Sequence, residues 1–175
     1  MKRVLIITLL SSVLIREAVA QDCAVTNAPA KIELSDQFEV KQLLAFPTTN
    51  LTFLVIADKG GSEQLAAWVS PVQERFGTTV AIMGIADVSA VPRPMRGLVR
   101  KKFKKAQTHS VMLDWSGETV KAFACLPERA NVFVLDEKGR IVKRLAGKAT
   151  PETIKEVCQA LQALTDTRKD QVANR

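Results

Sequence analysis

Three cysteines, one histidine and a scatter of single carboxylates are the side chains of this 175-residue sequence with chemistry to offer. Cys23, Cys125 and Cys158 lie far apart, and no CxxC or HxxxH spacing occurs, so the sequence writes neither a vicinal dithiol nor a multi-ligand zinc site. An odd count allows at most one internal disulfide, and the pairing stays open. Cys125 is the thiol to watch. It sits in a predicted loop ahead of an apolar strand, with Lys121 and Arg129 a few residues away, and nearby positive charge lowers a thiol pKa. The competing reading makes it a partly buried small residue or half of a disulfide. Cys158 keeps helical spacing with Ile154 and Leu161 and reads as a core residue. His109 has no visible thiol or carboxylate partner and reads as a strand-end surface residue. Asp87, Asp114 and Asp136 each close an apolar run, where turn chemistry accounts for them better than metal binding. Nothing in these residues calls for a cofactor.

The most unusual local feature is the segment RPMRGLVRKKFKK at 93–105. It carries Arg93, Arg96, Arg100, Lys101, Lys102, Lys104 and Lys105 and no acid. Met95, Leu98, Val99, Phe103 and Ala106 recur at helical spacing and predict an apolar stripe facing a core. A basic amphipathic helix of this kind suits an anionic membrane surface or an acidic protein partner. Arg93, Arg96, Arg100, Lys101, Lys104 and Lys105 are therefore the candidate partner-facing residues. The plainer alternative is a core-packed helix with a solvated outer side.

The chain has a net charge of +7, which raises the question of nucleic acid. With no tyrosine, and tryptophan and phenylalanine together at 5%, an aromatic platform for bases is not expected. The first 20 residues point elsewhere. Lys2 and Arg3 precede an apolar run, Val4–Ile15, and Ala18-Val19-Ala20 supplies small residues for cleavage, which is the pattern of a secretory signal peptide. Arg16 and Glu17 end the run short of a membrane span. The mature protein is expected to be periplasmic or secreted, without a transmembrane segment and away from nucleic acid.

The elements that must position these residues follow from apolar pattern and turn chemistry. After a leading arm at 21–30, a short hairpin is predicted in 31–44, with Ile32/Leu34 and Phe38/Val40 alternating about a Ser-Asp-Gln break. Leu51–Ala57 is a continuous apolar run of buried-strand type. Asp58-Lys59-Gly60-Gly61 breaks it, Ser62 is placed to cap a helix, Pro71 should kink that helix, and Gly77 should end it. A buried strand follows at 79–86, then the basic helix at 95–106, a strand at 110–115 and a short helix at 118–124. Asn131–Leu135 and Arg140–Leu145 flank a loop ending in Gly139, a hairpin signal. Thr150 and Pro151 open the last helix, and 165–175 reads as a polar, frayed tail. Strand–helix alternation followed by a hairpin gives a mixed sheet with helices on both faces, α/β in class, in one domain over 31–164.

This order of pieces resembles the thioredoxin-like superfamily, and its redoxin/peroxiredoxin branch in particular, with exported redoxin-like proteins of the YtfJ type as the nearest subgroup. IELSDQF at 32–38, LTFLVIAD at 51–58 with its Pro-containing helix, VMLDWSGETVKAF at 111–123 and NVFVLDEKGRIV at 131–142 carry the likeness. The resemblance implies a thiolate nucleophile at the start of the first helix and a cis-proline before the NVFVL strand. Residues 58–66 read DKGGSEQLA, without cysteine, and Ala130 stands near the proline's place. Ser62 without a base is a poor nucleophile. Arg129 lies near, but one residue off, the arginine that peroxiredoxins use. The expectation is therefore a thioredoxin-like domain without working thiol machinery, acting as a binding or accessory module. The alternative is a thiol-dependent disulfide reductase or peroxidase working through Cys125.

Overall fold

The computed structural model describes residues 25–173. The expected signal peptide and Cys23 lie outside the described residues. Eleven elements follow in order: β1 (Lys31–Ser35), β2 (Lys41–Ala45), β3 (Leu51–Ala57), α1 (Leu65–Phe76), β4 (Val80–Asp87), α2 (Arg96–Ala106), β5 (Met112–Asp114), α3 (Glu118–Ala122), β6 (Asn131–Leu135), β7 (Ile141–Ala146) and α4 (Pro151–Ala173). Single 3₁₀ turns at Ser62–Gln64 and Arg93–Met95 lead into α1 and α2.

The main sheet has the order β5-β4-β3-β6-β7. β3, β4 and β5 are parallel, because each crossover between them carries a helix, while β6 and β7 run antiparallel to their neighbours. β3 sits at the centre and is buried along its whole length, which is why it reads as an unbroken apolar run rather than an alternating one. Its side chains divide between two cores. Leu51, Phe53 and Val55 pack with Trp68, Val72 and Phe76 of α1 and Val157, Cys158 and Leu161 of α4. Leu54 and Ile56 face the other side, with Phe123, Met112, Ile32 and Leu44. One face is thus covered by α1 and α4, the other by the β1–β2 hairpin and the α3 region. Burying each large side chain contributes about 1.5–3 kcal/mol.

Several local expectations need correction. The hairpin exists, but its second strand begins at Lys41. Phe38 and Val40 lie in the turn and are exposed, because the buried Asp36 carboxylate gathers the Phe38 and Val40 N–H groups (2.8 and 2.9 Å) and closes the chain there. Residues 165–173 are not a frayed tail. α4 continues through them, with Thr165 buried and its hydroxyl donating to the Leu161 carbonyl (2.8 Å), and Arg168 paired to Glu137 (3.2 Å). The start of α4 is as expected: Thr153 N–H donates to Thr150 Oγ1 (3.2 Å) and Thr150 N–H to Thr153 Oγ1 (2.8 Å), a reciprocal cap.

The largest correction concerns α2. None of its residues is buried, and Met95 and Leu98 are 47% and 49% exposed. The stripe Met95, Leu98, Val99, Phe103, Ala106 therefore does not form a core face. α2 follows β4, and the next strand, β5, pairs over only three residues at the edge of the sheet, so there is little apolar floor beneath the helix. Instead, Arg96 and Arg100 turn inward.

Candidate functional site

In a fold of this topology, the loops at the carboxyl end of parallel β3 meet the start of α1. The chemistry there depends on what faces the free N–H groups of the helix end. Here Asp58, the residue after β3, organises the turn that leads into that helix. Its Oδ1 accepts from Gly61 N–H (2.8 Å) and its backbone carbonyl from Ser62 N–H (3.0 Å). Its Oδ2 accepts from Glu128 N–H (2.7 Å), across the gap to the loop before β6. The Asp58 carboxylate thus ties the turn that leads into α1 to the loop before β6, while no side chain caps the 3₁₀ turn or α1 itself. Ser62 is not the cap: its hydroxyl donates to the Lys59 carbonyl (2.7 Å), and it makes no bond to the helix N–H groups.

The loop 124–130 lies directly on this turn. A Cβ at Gly61 would stand 2.3 Å from the carbonyl carbon and oxygen of Arg129, and 2.8 Å from the nitrogen of Ala130. No side chain fits that space, so glycine is required by close backbone approach. A Cβ at Gly60 would meet Glu128 at 3.1 Å. Gln64 spans the same seam. Its Oε1 accepts from Ala130 N–H (3.1 Å), and its Nε2 donates to the Glu128 carbonyl (3.3 Å). Asn131, fully buried, fastens the loop from behind: its side chain accepts from Leu126 N–H (2.7 Å) and donates to the Leu126 and Arg129 carbonyls (2.9 and 3.0 Å). The Arg144 guanidinium donates to the Ala124 carbonyl and stacks on the Phe133 ring at 5.4 Å. Ala124 and Glu128 hold positive φ (46° and 57°), a conformation these many bonds maintain.

Cys125 lies in this loop, beside a cavity of about 60 Å³ lined by residues including Ile56, Asp58, Asp87, Val120 and Asn131. Burial pushes its thiol up to about 12. The Arg144 charge pulls the other way and is outweighed, and Asp87 and Asp114 add to the rise. The activation expected from Lys121 and Arg129 is thus not realised. Arg144, distant in sequence, is the cation that bears on the sulfur, and burial dominates. Among the described residues, Cys125 and Cys158 are unpaired, and they pack in the cores on opposite faces of the sheet, so they do not pair with each other.

The three strand-end aspartates are committed to local structure. Asp87 accepts from the Ser89 N–H and hydroxyl (3.0 and 2.6 Å). Asp114, wholly buried, accepts from the N–H groups of Gly117 and Thr119 (2.8 and 2.9 Å) at the start of α3. Asp136 accepts from Lys138 and Arg140 N–H and from the Arg140 side chain. Burial alone would raise its pKa, but those donors hold it below the usual carboxylate value. Among the described residues, no three His, Cys, Asp or Glu side chains group closely enough to hold a metal ion. His109 is exposed, and only its backbone carbonyl is engaged, by Gln37 Nε2 (2.7 Å).

The basic residues divide into two sets. Arg96 and Arg100 stack over Trp115 at 5.1 and 5.8 Å, Arg96 donates to the Trp115 carbonyl (3.3 Å), and Arg100 pairs with Glu39 (2.8 Å). They are half-buried and anchor α2. Arg93, Lys101, Lys104 and Lys105 are exposed, as is Lys102. Asp58, Gln64, Asn131 and Arg144 were not singled out by sequence. The signal for Asp58 was present: an aspartate three residues before a glycine at a helix start is a capping pattern. The partners of Gln64 and Arg144 are too distant in sequence to have been inferred.

Comparison with solved structures agrees with this architecture. The pneumococcal exposed lipoprotein thioredoxin Etrx1 from Streptococcus pneumoniae superposes with a TM-score of 0.60 at 16% identity, covering 77% of this chain and 100% of that one. StoA from Bacillus subtilis gives 0.57 at 21%, covering 74% and 97%. A DsbF homologue from Corynebacterium diphtheriae gives 0.59 at 14%, covering 87% and 96%. No family model and no curated protein matches the sequence. The chain has a thioredoxin-like fold.

Proposed function

We propose that this protein is an exported thioredoxin-like domain that performs no thiol chemistry and acts as a non-catalytic binding or accessory module. The observation that carries the reading is the packing of Gly61 against the Arg129–Ala130 backbone, in a turn where residues 58–66 contain no cysteine. A redox site of the expected kind needs a sulfur anion at the helix start and room for a disulfide to approach. Here no cysteine stands at the helix start, the Asp58 carboxylate binds the Gly61 and Glu128 N–H groups, and the 129–130 backbone packs on Gly61. The Cys125 thiol, raised to about 12, stays protonated at neutral pH and so is a weak nucleophile. Export is supported by the charged, apolar and small-residue succession of 1–20. A structural neighbour described as an exposed lipoprotein is consistent with it.

The test is turnover. The purified protein and its Cys125→Ser variant are assayed for reduction of insulin disulfides and for consumption of hydrogen peroxide. The module reading predicts no multiple turnover by either form. Turnover by the native protein that Cys125→Ser abolishes would overturn it and establish the thiol-dependent reductase or peroxidase.

A further inference from the structure

α2 buries no residue, whereas α1 buries Trp68, Val72 and Phe76. Its inward side is fixed by the two guanidiniums over Trp115 and the Arg100–Glu39 pair. At about 100° per residue, Met95, Leu98, Lys101, Lys102 and Lys105 fall on the side opposite Arg96 and Arg100. The chain therefore holds two large apolar side chains, each about half exposed, among exposed lysines that make no ion pair among the described residues. Residues 93–105 contain no acid to offset them.

A partner must meet both features. An acidic protein surface would answer the lysines, but would also need an apolar cleft shaped for Met95 and Leu98. A bilayer with anionic headgroups offers negative charge with hydrocarbon just beneath, and no matching shape is required. Lysine stems can lie along the apolar boundary while their ammonium groups stay at the phosphates. The Trp115 clamp holds the helix in this rotation in the unbound protein, so docking orders little.

We propose that α2 docks the protein on an anionic phospholipid bilayer, with Met95 and Leu98 entering the headgroup boundary and Lys101, Lys102 and Lys105 facing the phosphate layer. This rests on the binding-module reading and names its partner.

The test is co-sedimentation of the protein, as isolated from its cell, with phosphatidylcholine vesicles and with phosphatidylcholine/phosphatidylglycerol vesicles. Binding is expected only to the mixed vesicles. It should weaken by about a hundredfold in Lys101→Glu/Lys102→Glu/Lys105→Glu, since each cation near such a surface contributes on the order of a severalfold factor. Met95→Ser/Leu98→Ser should weaken it by about tenfold. A control of equal charge change at exposed positions elsewhere, Lys138→Glu/Lys148→Glu/Lys155→Glu, should weaken it far less. Circular dichroism of each variant checks folding, and every substituted side chain is exposed. Equal binding to both vesicle types, or equal loss in the two lysine triples, overturns the proposal, as does binding of an acidic protein that leaves vesicles unbound. Turnover is measured on the same preparations. Vesicle indifference without thiol turnover defeats the docking alone, and turnover with vesicle binding defeats the module reading alone.

Discussion

The starts of α1 and α2 are treated in opposite ways. Ahead of α1, the Asp58 carboxylate and the Gln64 amide bind the 124–130 backbone against the turn. At α2, arginines stand where an acid would suit the helix dipole, and the outward face lacks a core contact. In a thioredoxin-like fold the first of these places is where chemistry is expected, and here the packing is tight. The second is structurally plain, and here it is left open and charged. The contrast teaches that two helix starts at the same end of a parallel strand pair can be treated differently, one packed under a neighbouring loop and the other left open and charged.

Substitutions can break that contrast in measurable order. Gly61→Ala should have the largest effect, because its Cβ would overlap the Arg129 carbonyl. Urea denaturation should show a loss of more than about 3 kcal/mol, and a neutral result would mean that the loop does not rest on the turn. Asp58→Ala removes the acceptor for Gly61 and Glu128 N–H and should cost about 2 kcal/mol, with faster hydrogen exchange at both amides. Trp115→Ala should release Arg96 and Arg100. A loss of about 1–2 kcal/mol, with exchange accelerated along α2 but not α1, would sharpen the comparison, and uniform acceleration would blur it. Gly97→Ala, in α2, meets nothing within 4 Å and should stabilise by at most about 1 kcal/mol. The same substitution thus changes sign between the turn ahead of α1 and the first turn of α2.

What the sequence made legible follows from the range of the interactions involved. β3 is readable to the residue because burial on both faces leaves apolar side chains at every position from Leu51 to Ala57 except Thr52. Thr150-Pro151 was readable because a cap is local. α2 was placed correctly along the chain but assigned the wrong inner side. The period of Met95, Leu98, Val99 and Phe103 is helical, yet the strongest site beneath the helix is the Trp115 ring, which attracts guanidinium over methionine. Gly60-Gly61 was read as a break, and its second role became visible only with Arg129 folded against it. Cys125 was credited with its neighbours in sequence, Lys121 and Arg129, while the charge that reaches it comes from Arg144 on β7.

The proposed function requires that Cys125 offer no available thiolate, and the reaction of the folded Cys23→Ser protein with an aromatic disulfide, followed against pH, tests this. Because the folded thiol of Cys125 is raised to about 12 from an ordinary 9.0, the folded state holds its proton where the unfolded chain has begun to lose it. The burial of Cys125 therefore supports folding fully below the unfolded pKa and loses that support as pH climbs toward the folded one. The predicted result is a native rate below that of the denaturant-unfolded chain at every pH, still rising beyond the ordinary thiol value with no plateau. A native rate exceeding that of the unfolded chain, levelling off below neutrality, would contradict the account.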